Sequence, residues 1–109
     1  MDFQSPTGNV GCNYIPAGGT QVYTTPDGGP QLVCDRVEPT YVRITLSAHG
    51  GSGVLRRVGD AGCCGGATMA YGAHWTGGPF TCDMTQEGLT CTNLDGRGFT
   101  LSRDQALPH

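Results

Sequence analysis

The chain has 109 residues with six Cys, 19 Gly and 7 Pro; 37% of it is hydrophobic, 7% aromatic, and its net charge is −3. That length suits one domain, 1–109, with a modest core, and six basic residues that are all Arg, with only Arg56 and Arg57 adjacent, make no stripe for nucleic acid or an anionic membrane. No run approaches the ~20 apolar residues that cross a bilayer, and an even number of cysteines in a short chain implies a disulfide framework made in an oxidising compartment.

Met1-Asp2-Phe3-Gln4 has neither the basic region nor the apolar run of a signal peptide. The expectation is a mature exported segment behind an added initiator Met1. Helix signals are nearly absent. Val, Thr, Tyr and Phe alternate with polar residues, and Gly or Pro interrupts every few positions, which is the all-β pattern. Ser5-Pro6-Thr7-Gly8 reads as a turn, followed by a strand over 9–15 that Pro16-Ala17-Gly18-Gly19 ends. A second strand is expected over 20–25, the turn Pro26-Asp27-Gly28-Gly29-Pro30 follows, and a third strand covers 31–35.

The clearest strand is 41–47. Val42, Ile44 and Leu46 share one face and Tyr41, Arg43, Thr45 and Ser47 the other, so one face is buried. A turn at 49–53 and a returning strand over 54–58 come next. Residues 59–66 are too rich in glycine for regular structure, and 67–76 are expected to be extended.

The last third specifies a hairpin. Residues 80–84 and 89–93 close over 85–88, and pairing Cys82 with Cys91 sets Met84 opposite Leu89 and Phe80 opposite Asn93. Apolar residues then meet on one face, which predicts a cross-strand disulfide. Asp95-Gly96 makes another turn. A plain two-residue loop would turn Phe99 and Leu101 away from the Cys91 face; a bulge at Gly96 or Gly98 returns them to the core, and we expect the bulge.

The blocks Phe3-Gln4-Ser5-Pro6-Thr7-Gly8-Asn9-Val10-Gly11-Cys12, Cys34-Asp35, Tyr71-Gly72-Ala73-His74-Trp75, Gly78-Pro79-Phe80-Thr81-Cys82, Gly88-Leu89-Thr90-Cys91-Thr92-Asn93 and Gly96-Arg97-Gly98-Phe99-Thr100-Leu101-Ser102-Arg103 stand in a fixed order. In this order the chain resembles a family of small secreted or lipid-anchored actinobacterial domains, mycobacterial ones included, whose function is unknown. The resemblance implies an exported cell-envelope protein with three disulfides and supplies no catalytic residues. The middle departs from the pattern, because 41–58 holds no cysteine while Cys63 and Cys64 are adjacent.

If Cys12 pairs with Cys34 and Cys82 with Cys91, then Cys63 and Cys64 are left over. They have several outcomes: a disulfide with each other, free thiols, a dimer link, metal ligation, or bonds to other cysteines among fifteen connectivities. A soft-metal site would draw on Cys63 and Cys64 with Met69, His74 or His49, since thiolates and thioethers suit copper(I). Adjacent cysteines chelate poorly, and the histidines stand in no ligand spacing. No nucleophile–base pair, Gly-x-Ser-x-Gly or phosphate loop is readable, so no catalytic residue and no cofactor is expected.

Tyr71, His74, Trp75 and Phe80 are the one aromatic concentration. They are a candidate ligand patch, although a single Trp among few large hydrophobes is more often core. The expectation is a disulfide-stapled all-β sandwich or partly open barrel of six to eight short antiparallel strands. Its expected role is a non-enzymatic extracellular or cell-envelope binding or accessory module. A secreted inhibitor of an enzyme such as a protease is the alternative, and a small enzyme or soft-metal protein comes third.

Overall fold

A computed structural model describes residues 2–18, 28–56 and 63–109. The described residues form eleven strands and no helix. The first sheet holds β1 (Asp2–Gln4), β2 (Val10–Ile15), β3 (Gln31–Arg36), β4 (Val42–Ser47), β5 (Gly53–Leu55) and β6 (Ala67–Thr68), in the order β5-β4-β3-β2-β1-β6. The second holds β7 (His74–Gly77), β8 (Phe80–Thr85), β9 (Gly88–Thr92), β10 (Gly98–Leu101) and β11 (Ala106–Pro108), in the order β11-β10-β9-β8-β7. The two sheets stay open and share one apolar core, so the fold is a sandwich rather than a barrel.

Alternation explains the packing. On β4, Val42, Ile44 and Leu46 are at most 1% exposed while the residues between them face outward. On β3, Leu32 and Cys34 point inward, which turns Val33 and Asp35 to the outer face. The second sheet contributes Phe80, Cys82, Met84, Leu89, Cys91, Phe99 and Leu101 to the same core. Cys12 bonds Cys34 and Cys82 bonds Cys91, each joining residues directly opposed in the ladder with Cα atoms 4.1 Å apart. That matches the close, non-hydrogen-bonded antiparallel pair, about 4.5 Å between Cα atoms. Each sheet therefore carries one cystine on its buried face.

The strand count exceeds the expected six to eight because β1, β5, β6 and β11 are pieces of two or three residues, too short to show a period. One pairing departs from the antiparallel expectation, as β6 runs parallel to β1. The strand expected over 20–25 lies outside the described residues. The returning strand near 54–58 spans Gly53–Leu55, and 57–62 again lie outside them. The C-terminal hairpin has the expected register, Cys82 opposite Cys91 and Met84 opposite Leu89.

Phe99 and Leu101 do return to the core, opposite Cys91 and Leu89. Asn93 N–H donates to the Arg97 carbonyl at 2.8 Å and Gly96 N–H to the Asn93 carbonyl at 3.1 Å. Gly96 takes the left-handed conformation, φ 72°, that closes a three-residue turn with a bulge.

Candidate functional site

The site is built on the outer face of the first sheet. Asp35 on β3 stands directly opposite Arg43 on β4, and both point away from the core. Arg43 Nε donates to Asp35 Oδ1 at 2.8 Å and Nη2 to Oδ2 at 2.9 Å, a bidentate pair. Asp35 is only 7% exposed, so its charge depends on that pairing. Tyr41 completes the group by donating its hydroxyl to Asp35 Oδ2. Burial, then the hydrogen bond to Asp35, holds the Tyr41 hydroxyl above its ordinary pKa.

That hydroxyl also accepts the Cys63 N–H at 3.1 Å. Asp35, Arg43 and Tyr41 thus moor a strap, residues 63–65, on the sheet. The strap carries a disulfide between the neighbours Cys63 and Cys64, whose shared peptide bond is cis. Cys63 Sγ lies 3.7 Å from the Asp35 carbonyl oxygen. Beneath the cystine is Gly11 of β2, an outward position without a side chain. A Cβ there would lie 2.6 Å from Cys64 Cβ, 2.8 Å from Cys64 Sγ and 3.1 Å from Cys63 Sγ. Only glycine lets the cystine lie flat on the strand.

This cystine differs in kind from the other two. Cys12–Cys34 and Cys82–Cys91 span 22 and 9 residues. Restricting loops of that length in the unfolded chain stabilises the fold by about 3 kcal/mol each. Cys63–Cys64 spans one residue and closes no loop worth restricting. Its contribution is local: it fixes the shape and chemistry of a piece of surface. That surface faces an open cleft of about 260 Å³ lined by Asp2, Asn13, Val33, Arg43, Cys63 and Cys64, among others.

The aromatic candidates do not form one patch. Phe80 is fully buried. Trp75 is half-buried between the sheets, with its ring 4.8 Å from that of Phe3 and 6.0 Å from that of Tyr14, which in turn lies 6.0 Å from Phe80. The indole lies over Gly77, where any Cβ would collide with it. His74 points outward and pairs with Asp83 at 2.7 Å. Tyr71, 48% exposed, lines a different cleft of about 390 Å³ at one end of the sandwich, with Val10, Leu89, Leu101 and Arg103. Trp75 and Phe80 thus pack between the sheets, His74 is exposed beside Asp83, and Tyr71 lines the second cleft. Alternation on β7 turns His74 outward and Trp75 inward.

The residues considered for a soft metal are also dispersed. Cys63 and Cys64 are bonded to each other, Met69 is buried in the core, His49 pairs with Asp95 at 3.0 Å, and His74 is held by Asp83. Sequence reasoning missed Gly11, Asp35, Tyr41 and Arg43 as parts of a site. The signal was present in two places. Tyr41, just before β4, and Arg43 on it stand at alternate positions, and a Cys12–Cys34–Ile44 register sets Asp35 against Arg43, an opposite-charge cross-strand pair. Comparison with family models, curated proteins and solved structures returned no match for this chain.

Proposed function

We propose that this protein works outside the cytoplasm as a non-enzymatic binding or accessory module, and that the cleft beside Cys63–Cys64 is its ligand face. One observation carries the reading: a cystine that closes no loop is seated by Gly11 and moored by a partly buried Asp35–Arg43–Tyr41 group at the edge of a cleft. A pre-formed, rigid surface of this kind lowers the ordering cost of binding. Three disulfides suit an oxidising compartment, and the resemblance to exported actinobacterial domains points the same way. A bonded cystine offers no thiolate for nucleophilic chemistry.

The test is a fragment screen by amide NMR on the oxidised, ¹⁵N-labelled protein. Shifts should cluster at Gly11, Asn13, Val33 and Cys63–Gly65. Hits scattered over the surface, or gathered around Tyr71 and Arg103, would refute this ligand face.

A second reading, inhibition of a secreted enzyme such as a protease, draws on Leu94. It is 65% exposed in the turn that Asn93 holds, three residues beyond Cys91 of the Cys82–Cys91 staple. If this reading holds, Leu94→Ala abolishes inhibition of the target enzyme and leaves the fold intact.

A further inference from the structure

We infer that the cleft beside Cys63–Cys64 receives one ring of a neutral saccharide; the inference rests on the binding-module reading above. The argument starts from the surface of the cleft. Among the described residues its apolar part is the pair of sulfurs with the Val33 side chain, and none of the described lining residues is aromatic. Sulfur is soft and polarisable and makes favourable dispersion contacts. Such a pad suits the C–H face of a sugar ring, whereas a quaternary ammonium ligand would call for aromatic faces.

Polar groups flank the pad. Asn13 is exposed on β2, and Asp2 is exposed on β1. Neither side chain makes a hydrogen bond among the described residues. A carboxamide both donates and accepts, and a carboxylate accepts, which together match hydroxyls that do both.

Charge narrows the class further. Asp2 and Asp35 contribute two negative charges and Arg43 one positive, so the described lining residues carry one net negative charge. Arg43 is committed to Asp35. Phosphates and carboxylates are therefore disfavoured. The volume, about 260 Å³, falls just below the roughly 300–1,000 Å³ of sites for drug-sized ligands, so a single ring fits. A Cβ on Gly65 would meet no atom within 4 Å, so the side of the cleft at Gly65 is open for the rest of an oligosaccharide to leave.

The experiment is an amide NMR titration of the oxidised protein with neutral oligosaccharides of three kinds, maltotetraose, xylotetraose and chitotetraose, beside inorganic phosphate and tetraproline. The expected result is saturable shifts at Gly11, Asn13, Val33 and Cys63–Gly65 with at least one oligosaccharide and none with phosphate. Asn13→Ala, at an exposed position with no side-chain hydrogen bond among the described residues, should weaken that binding about tenfold, the worth of one hydrogen bond. If tetraproline or phosphate perturbs the cleft and no oligosaccharide does, the saccharide assignment is overturned while the binding-module reading stands. If no compound here and no fragment perturbs the cleft, both are overturned. Saccharide shifts centred on Tyr71 and Arg103 would overturn the assignment to this cleft.

Discussion

Gly11 is the seat of Cys64. A methyl group on the Gly11 α-carbon would lie 2.6 Å from Cys64 Cβ, closer than real carbon atoms approach. Gly11 is also the residue next to Cys12, so the strand that staples the core on one face supports the strap on the other.

Gly11→Ala is therefore expected to lift the strap or bend β2. Overpacking of this kind costs about 1–3 kcal/mol, read as a lower melting temperature with amide shifts concentrated at Cys63–Gly65. Gly65→Ala is the control. It meets nothing within 4 Å and should change stability by no more than about 0.5 kcal/mol. Equal effects from the two variants would contradict the seating.

The two buried cystines should behave as staples. Replacing both Cys82 and Cys91 with Ala is expected to cost about 2–5 kcal/mol, as loss of a native disulfide in a small secreted domain does. Peptide mapping of the non-reduced protein should recover Cys12 with Cys34 and Cys82 with Cys91. Any other connectivity would break the register described for both sheets.

Tyr41 makes stability depend on alkaline pH. Its pKa is raised by burial and by its hydrogen bond to Asp35, so the folded protein holds the phenolic proton more tightly than the unfolded chain does. The resulting stability is fully present below the unfolded value, about pH 10, and is lost as pH rises through the folded value. A spectrophotometric titration should show one tyrosine ionising late in the native protein, and Tyr41→Phe should remove that phase. An unchanged titration curve in the variant would contradict the network.

Asn93 ties the two sheets at the turn. Its Nδ2 donates to the Ser47 and Gly50 carbonyls at 2.9 and 2.8 Å, and its Oδ1 accepts from the Asp95 and Arg97 N–H groups. Asn93→Ala leaves several of these groups without a partner and is expected to cost about 2–3 kcal/mol, measured by denaturant unfolding. A loss below about 0.5 kcal/mol would show that water replaces the side chain.

The core was legible in the sequence wherever alternation ran for several residues. Val42, Ile44 and Leu46 announce their face, and the Met84–Leu89 register predicts the Cys82–Cys91 bond that the structure contains. The short strands were not legible, because two or three residues such as Ala67–Thr68 show no period. The aromatic patch misled because proximity along the chain is not proximity on a surface. Trp75 turns inward to Phe3 while its neighbour His74 turns outward to Asp83. The candidate site was hidden because it depends on an absence at Gly11, and because Asp35 and Arg43 meet only once β3 and β4 are paired.

The most direct test of the account is the amide NMR spectrum of the Cys63→Ser/Cys64→Ser variant, recorded with and without the fragments that shift the wild-type cleft. The cystine closes no loop, so the variant should remain folded, with spectral changes confined to the strap and the strands beneath it, and the fragments should no longer shift Asn13 or Val33. A variant that binds those fragments as the wild type does, or one that loses as much stability as the Cys82/Cys91 variant, would contradict the claim that this cystine exists for its surface.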